Sequence, residues 1–282
     1  AMIDYFEKLG YQEGIDLFGV PIDWRLGLAA SEKVFHPRLI KLVEEIYAKT
    51  QQKVVLIGHS FGGYTVQNFL SNGASQEWID KYIEKGIALA PSFGGAIESM
   101  LIAWTREIQK IITIKNEFLT EALETMGAVH IHFYNWELFP NQTVVYTPDG
   151  TEIKTEKFSQ FLIDHQKING DSIPLLKLNE KFTSKFPNQT KAPLYIIYNS
   201  GRQTATAFKL KDWDSDDIEK VYGEGDGTIN AEGIRKYCNK YASNTHCYDF
   251  KDDGPFGNHL MMLYKHSIIK LTYQTVFNNS IF

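Results

Sequence analysis

The sequence lacks the features that mark a membrane-spanning, nucleic-acid-binding or disulfide-built protein. No apolar run approaches the roughly 20 residues that a transmembrane helix needs. The net charge is −5 and no basic run offsets it, so nucleic acid is not an expected partner. Only two of the 282 residues are cysteine, too few for a scaffold held together by disulfides. The chain is nevertheless long enough to bury a large core, as one α/β domain or as a domain with an insertion.

The first residues contain neither the charged segment nor the apolar segment of a signal peptide, so we expect none within this sequence. Ala1 and Met2 lead directly into an amphipathic helical pattern that ends at Gly10. Such a beginning favours a processed form or a fragment of a longer protein.

Two observations favour a secreted or lysosomal glycoprotein. Cys238 and Cys247 are close enough in sequence for a local disulfide, with a reduced and buried pair as the alternative. The chain also contains three N-glycosylation sequons, which are Asn141-Gln142-Thr143, Asn188-Gln189-Thr190 and Asn278-Asn279-Ser280. Together they predict a protein of the secretory pathway, either secreted or in a lysosome or vacuole.

The most informative pattern is an apolar, β-branched run that ends abruptly in Gly58-His59-Ser60-Phe61-Gly62, with a helical pattern after it. Strand, sharp turn and helix in this order are the context in which G-x-S-x-G forms a nucleophile elbow. We therefore predict that Ser60 is a nucleophile. The tight turn should require glycine at both Gly58 and Gly62, and the amide N–H of Phe61 should face a developing oxyanion.

Strand and helix patterns alternate at both ends of the chain, which predicts an α/β core with a parallel sheet. Between them the pattern changes to a long helical run and aromatic-rich turns, typical of a cap or lid over a site. We therefore predict a first part of the core in residues 1–95, a cap insertion in residues 96–192 and a second part of the core in residues 193–282. The expected elements are strands over 16–22, 53–57, 86–90, 193–199 and 247–250, and helices over 37–49, 63–70, 79–83, 97–114 and 259–277.

A serine nucleophile needs a histidine base, and that base needs a carboxylate to fix its tautomer. With the chain order of this fold class, the acid should follow the strand over 193–199. Asp226, in a glycine-rich turn, is the expected acid, and Glu224 is its competitor. His259 follows the last predicted strand and is the expected base. The other histidines considered for the base lie at less suitable positions, with His59 in the elbow, His246 before the last strand and His266 in the closing helix.

No metal or other cofactor is expected. His130 and His132 have a spacing that could ligate a metal, but no third ligand is evident. The acidic run of Asp212, Asp214, Asp216 and Asp217 resembles the start of a calcium loop, but it lacks the glycine and the glutamate such a loop requires at its sixth and twelfth positions. A solvated loop is the simpler interpretation.

With Ser60, Asp226 and His259 assigned, the sequence resembles the lecithin:cholesterol acyltransferase family. Five blocks in the family's order carry the resemblance, and they span nearly the whole chain: Val20-Pro21-Ile22-Asp23-Trp24-Arg25-Leu26, Gly58-His59-Ser60-Phe61-Gly62-Gly63, Ala90-Pro91-Ser92-Phe93-Gly94-Gly95, Gly225-Asp226-Gly227-Thr228-Ile229-Asn230, and Asn258-His259-Leu260 with Met262-Leu263. The resemblance implies an α/β-hydrolase fold with a cap between core strands.

The resemblance also implies an activity, namely transfer of an acyl chain from a phospholipid through an acyl-serine to water or a lipid alcohol, at a membrane or lipoprotein surface. Asp23, Trp24 and Arg25 form the family's most recognisable block outside the triad and are candidate substrate contacts. From the residues alone, a buried Asp–Arg pair beside the site is plausible. A catalytically silent lipid- or partner-binding module and a non-lipid carboxylesterase are the alternative functions.

Two departures from the family pattern stand out. Nothing before Ile3 corresponds to the family's Pro-Gly-rich region, which supplies the second oxyanion N–H, or to its membrane-docking subdomain. We therefore expect that a second polypeptide or sequence outside these 282 residues supplies this segment, or that this chain alone is poorly active. Ile22 also stands where the family has tyrosine.

Overall fold

A computed structural model describes residues 1–106, 120–213 and 217–278. At its centre lies a parallel four-stranded sheet in the order β1-β2-β5-β8. Its strands are β1 Val54–His59, β2 Ile83–Leu89, β5 Leu194–Tyr198 and β8 Thr245–Asp249. The inner strands β2 and β5 are almost wholly buried, as expected for a parallel sheet covered on both faces. Because the strands are parallel, their carboxyl ends meet at one edge, and the residues after β1, β5 and β8 are brought together there.

A second sheet, in the order β4-β3-β6-β7, lies outside the parallel one. Its strands are β3 Thr143–Tyr146, β4 Glu152–Lys154, β6 Arg202–Leu210 and β7 Ile218–Gly225. The β6–β7 hairpin leaves the core after β5 and returns to it, since Arg202 pairs with Gly225 at the base of the hairpin. The chain therefore re-enters the edge of the parallel sheet at residue 226.

Twelve α-helices accompany these strands in the described ranges. Their bounds are α1 Met2–Lys8, α2 Gly27–Ala30, α3 His36–Thr50, α4 Phe61–Asn68, α5 Gln76–Tyr82, α6 Ile97–Thr105, α7 Thr120–Glu124, α8 Gly127–Ile131, α9 Phe158–Asp164, α10 Ile173–Thr183, α11 Ala231–Lys240 and α12 His266–Phe277. None of the helices described is both long enough and apolar enough to cross a bilayer.

The predicted core strands are present, apart from the one over 16–22. In that stretch the described structure has only an isolated bridge between Glu13 and Leu17. The stretch contains Pro21, which has no N–H to donate to a sheet, and its apolar residues line a cleft beside β1 instead of pairing with it. The closing helix was also predicted too long, because α12 begins at His266 and the residues before it form a loop and a 3₁₀ turn.

The helix predicted over 97–114 is observed over Ile97–Thr105, and residues 107–119 lie outside the described part of the chain. The division of the chain at residues 95 and 192 stays a prediction. Strand β3, from the predicted insertion, pairs in parallel with β6, from the second part of the predicted core. The second sheet therefore contains strands from both sides of the proposed boundary.

Candidate active site

The turn between β1 and α4 holds Ser60 in a conformation that few non-glycine residues adopt. Its φ is 55° and its ψ is −121°. Residues held in such regions cost on the order of 1–3 kcal/mol and persist only where the surroundings enforce them. Here the enforcement comes from Gly58, because a Cβ at that position would lie 2.3 Å from the carbonyl oxygen of Gly62. The close approach of strand and helix places the Ser60 hydroxyl at the carboxyl edge of the sheet.

The prediction that Gly62 must also lack a side chain was wrong. A Cβ on Gly62 would have no heavy atom within 4 Å, because Gly62 faces the open cleft beside β1. The second close contact belongs to Gly63, where a Cβ would lie 3.1 Å from the Cβ of Pro91. The helix after the elbow therefore packs on the loop after β2 through Gly63.

The structure brings Ser60, Asp226 and His259 together in one hydrogen-bonded chain. His259 Nδ1 lies 2.7 Å from Asp226 Oδ2, and His259 Nε2 lies 2.8 Å from Ser60 Oγ. A carboxylate only accepts hydrogen bonds, so the proton of the neutral ring is on Nδ1 and Nε2 is free to accept from the Ser60 hydroxyl. Asp226 and His259 are both buried, with 1% and 5% exposure. This is the arrangement that a serine nucleophile and its general base require.

The Asp226 carboxylate is fixed by its own loop. Its Oδ1 accepts from the backbone N–H groups of Thr228 and Ile229, at 2.9 and 2.7 Å, so only Oδ2 is directed to His259. The loop can close this tightly because Gly225 has no side chain, and a Cβ there would lie 2.2 Å from the Ile229 carbonyl oxygen. The backbone N–H of His259 also donates to the backbone carbonyl of Asp226, at 3.0 Å. This bond connects the loop that carries the acid to the loop that carries the base.

The competing candidates lie elsewhere. Glu224 is exposed and forms an ion pair with Arg235, with a distance of 2.6 Å. His246 is on β8, where its ring stacks on Tyr195, and His266 is exposed at the start of α12.

The loop that carries His259 is anchored by Asn199, at the end of β5. The Asn199 amide nitrogen donates to the carbonyls of Asp252 and Gly257, at 2.7 and 2.8 Å. Its oxygen accepts from the N–H of Asp252, at 2.7 Å. An ion pair between Lys265 and Asp252 connects the end of the loop to its start. The sequence reasoning missed Asn199, which is 2% exposed, because its partners are more than 50 residues away.

A model of the lecithin:cholesterol acyltransferase family matches residues 1–169, more than half of the 282 residues. The chain belongs to the lecithin:cholesterol acyltransferase family. Among curated proteins, lysosomal phospholipase A and acyltransferase from Bos taurus is 27% identical over 236 residues, covering 82% of this chain and 56% of that protein. Phosphatidylcholine-sterol acyltransferase from Gallus gallus is 25% identical over 271 residues, covering 93% of this chain and 62% of that protein. The chain thus spans about three fifths of the length of these relatives.

Among solved structures, a chain of the Tle4–Tli4 complex superposes with a TM-score of 0.55 at 10% identity. The match covers 89% of this chain and 65% of that chain, and at this identity it shows a shared fold alone. The prediction of an α/β-hydrolase fold and that of the family are both confirmed. The comparisons give no support to a second polypeptide that supplies an N-terminal segment.

In this family member two further histidines lie around the elbow. The ring of His59 is 4.7 Å from that of His259, and its Nε2 donates to the His259 carbonyl at 2.8 Å. His132 lies edge-on against the ring of Phe61, with 5.2 Å between centroids. Burial is the main cause that lowers the pKa of both His59 and His132 to about 4. Both rings are therefore neutral over the range in which a histidine base works.

Asp23, Trp24 and Arg25 are close to one another but exposed. The Arg25 guanidinium binds both carboxylate oxygens of Asp23, at 2.9 and 2.8 Å, and holds the pKa of Asp23 below its usual value. Within the described residues no hydrogen bond, ion pair or ring contact joins these three to the triad. The expectation of a buried pair was wrong, because Asp23 caps a surface 3₁₀ turn.

The described residues contain no group of three or more His, Cys, Asp or Glu placed to hold a metal ion. The nitrogens of His132 bind Ser92 and a backbone carbonyl instead. Of the acidic run, Asp212 and Asp217 are exposed in a loop, and residues 214–216 lie outside the described part. Cys238 and Cys247 form a disulfide that links α11 to β8.

A cleft of about 840 Å³ runs beside β1, which is the outer strand of the parallel sheet as described. It is lined by β1 itself, by α3, and by the apolar residues Leu17, Phe18, Val20 and Ile22. The cleft reaches the flanks of the elbow at His59 and Gly62. Ser60 and His259 are not among its lining residues.

Proposed function

We propose that this chain carries the catalytic triad of a serine-dependent phospholipid acyl hydrolase or O-acyltransferase. The observation that carries the proposal is the hydrogen-bonded chain from Asp226 Oδ2 through His259 to Ser60 Oγ. Family membership supports the chemistry, and the curated relatives are named for phospholipase A and acyltransferase activities. Ser60 is the nucleophile, His259 the general base and acid, and Asp226 the residue that holds the His259 tautomer.

The reaction has two halves. In the first, His259 Nε2 takes the Ser60 proton while Oγ attacks the ester carbonyl carbon. The Phe61 N–H, at the start of α4, donates to the oxyanion, and the protonated His259 gives its proton to the departing alcohol. In the second half, His259 takes a proton from water or from a lipid alcohol, whose oxygen attacks the acyl-serine carbonyl carbon. His259 then gives this proton to Ser60 Oγ as the bond between Oγ and the acyl carbon breaks. No cofactor is needed, since every proton passes through His259.

The substrate we propose is a phospholipid ester at a membrane or lipoprotein surface, and the acceptor is water or a lipid alcohol. Support for the lipid comes from the activities for which the relatives are named. The geometry of the triad supports acyl transfer through Ser60. Whether water or an alcohol then accepts the acyl group depends on how accessible the acyl-serine is to solvent. A contribution of Asp23, Trp24 and Arg25 to substrate binding is part of the same proposal, based on their match to the family block.

The test is labelling and turnover of the Ser60→Ala variant. We expect a fluorophosphonate to add one adduct to Ser60 of the unaltered protein and none to the variant, and fatty-acid release from phosphatidylcholine vesicles to disappear with it. Ser184→Ala, at the end of α10, is the matched control and should label normally. Undiminished turnover in Ser60→Ala would refute the proposal. Lipid binding without any labelling would favour a silent binding module instead.

A second measurement separates lipid from non-lipid esters. The same protein is given a chain-length series of soluble esters, phospholipid vesicles, and vesicles that also contain a sterol or diacylglycerol. A preference for short soluble esters would contradict the lipid assignment. Acylated sterol or diacylglycerol among the products would identify an alcohol as the acceptor.

We also propose a location in the secretory pathway, secreted or lysosomal. The disulfide supports an oxidising compartment, and a relative's name includes the word lysosomal. Asn141 and Asn188, the acceptors of two sequons, are both exposed, so each can be glycosylated without unfolding. The third sequon extends beyond residue 278 and lies partly outside the described residues.

A further inference from the structure

A second serine–histidine pair lies directly behind the elbow. Ser92 Oγ and His132 Nε2 are 2.6 Å apart, and His132 Nδ1 is 2.5 Å from the carbonyl oxygen of Ala128. A carbonyl only accepts, so the ring proton is on Nδ1 and Nε2 accepts from the Ser92 hydroxyl. Ser92 is fully buried, with 0% exposure. The pair therefore has one defined hydrogen-bond pattern, with Ser92 as donor to His132.

The pair contacts the elbow at the peptide unit between Ser60 and Phe61, which carries the N–H proposed to bind the oxyanion. The backbone N–H of Ser92 donates to the carbonyl of Ser60, at 3.3 Å. The Ser60 carbonyl and the Phe61 N–H belong to the same planar peptide unit and point in opposite directions. Whatever holds the Ser60 carbonyl therefore also directs the Phe61 N–H. The ring of His132 also contacts the Phe61 side chain edge-on, with 5.2 Å between the ring centroids.

His132 is itself fixed to the loop after β2. Its carbonyl accepts from the Ala96 N–H at 2.8 Å. Gly95 allows this approach, because a Cβ there would lie 2.8 Å from the His132 carbonyl oxygen and 2.6 Å from that of Phe133. The segment that carries His132 is thus seated on the loop that carries Ser92, and both are seated on the elbow.

We propose that Ser92 and His132 are positioning residues that hold the Ser60–Phe61 peptide so that the Phe61 N–H points at the oxyanion. The inference rests on the proposed function, since it needs an acyl-transfer reaction at Ser60. His132 belongs to the predicted cap insertion, so under this proposal the insertion contributes to catalysis by positioning the elbow rather than by covering the site.

The test compares kcat and KM on phospholipid vesicles for three variants. His132→Phe keeps a ring against Phe61 but removes both hydrogen bonds, and Ser92→Ala removes the donor. We expect each to lower kcat about tenfold with KM within about twofold, because complete loss of an oxyanion donor costs roughly 100- to 1000-fold and a misdirected donor costs less. His132→Gln can keep an acceptor near the Ser92 hydroxyl and should recover most of kcat. The rate of phosphonate labelling should fall in parallel with kcat.

His130 provides the matched control. It is on α8, two residues away, and is more deeply buried than His132, which is half-buried. Among the described residues its Nδ1 has no hydrogen-bond partner, and its ring lies against Phe133. His130→Phe should therefore keep kcat within about twofold even if it lowers the melting temperature. If His132→Phe does not fold, Ser92→Ala removes the same hydrogen bond with a smaller change and carries the test alone.

Unchanged kcat in Ser92→Ala would overturn the inference. So would a His130→Phe variant that loses kcat as strongly as His132→Phe, since the effect would then be general damage to the cap. The Ser92→Ala/His132→Phe double variant should lose no more kcat than the worse single variant, and additive losses would also contradict a shared role. Failure of the proposed function has a different signature, because the unaltered protein would then not be labelled at Ser60.

Discussion

Asp226→Asn is the substitution for which the structure makes its sharpest prediction. The backbone N–H groups of Thr228 and Ile229 both donate to Oδ1, so an amide at this position must place its oxygen there. Its NH2 group then occupies the place of Oδ2 and donates to His259 Nδ1. His259 can accept that bond only if its proton moves to Nε2.

With the proton on Nε2, His259 donates to Ser60 Oγ instead of accepting from it, and the general base is lost. The cost of holding a triad histidine in the wrong tautomer is on the order of 10⁴ in kcat. Stability should change much less, because both backbone donors keep an oxygen acceptor, and the net worth of such a bond is about 0.5–1.5 kcal/mol.

The assay is single-turnover release of fatty acid from phosphatidylcholine vesicles, with chemical denaturation alongside. Glu224→Gln is the matched control, since Glu224 is two residues away, exposed and paired with Arg235. Its kcat should stay within about twofold of the unaltered protein, because exposed ion pairs contribute little. An Asp226→Asn variant within about tenfold of full activity would refute the tautomer argument, and so would an equal loss in Glu224→Gln.

Three further predictions concern stability and the elbow. Gly58→Ala should abolish Ser60 labelling and lower the free energy of unfolding, because its Cβ would collide with the Gly62 backbone; normal labelling would contradict this. Replacing both Cys238 and Cys247 by serine should cost about 2–3 kcal/mol in chemical denaturation, the amount expected for a closed loop of this length; an unchanged midpoint would contradict it. Burial lowers the pKa values of His59, His130 and His132 to about 4, so each of these rings binds a proton more readily in the unfolded chain. The free energy of unfolding should therefore be at its full value above pH 6.5 and fall as the pH drops towards 4. Each histidine should contribute about 1.4 kcal/mol per pH unit to this fall. His130→Gln should reduce that slope by about one proton, and an unaltered slope would show that His130 does not titrate in this way.

The elbow could be predicted from the sequence because its determinants are local. A strand, a five-residue turn and a helix follow one another without interruption, and the decisive clash at Gly58 is with a residue only four positions away. Asp226 and His259 were also predicted, because the fold class fixes the order in which the strand ends reach the site. The sequence did not decide between a disulfide and a reduced pair for Cys238 and Cys247, since their spacing permits both.

The features that the sequence reasoning missed have more than one physical cause, and for two side chains the cause is a partner that is distant in sequence. Strands β6 and β7 mix polar and apolar residues, so neither has the long apolar run that would have predicted a core strand. They pair with each other, and β6 also pairs with β3. Asn199 anchors the base loop through residues more than 50 positions away. His132 was considered only as a metal ligand, because nothing in its own surroundings points to Ser92, which is 40 positions earlier.

Three histidines lie around the elbow, namely His59, His132 and His259, and their hydrogen-bond partners decide which of them can be a base. His59 and His132 each donate a ring N–H to a backbone carbonyl. A carbonyl carries no net charge, so burial outweighs it and the charged ring is disfavoured. His259 alone donates to a carboxylate, which stabilises the imidazolium formed when the Ser60 proton is taken up. The role of base therefore follows from two contacts that His259 alone makes among these three, the carboxylate on its Nδ1 and the Ser60 hydroxyl on its Nε2.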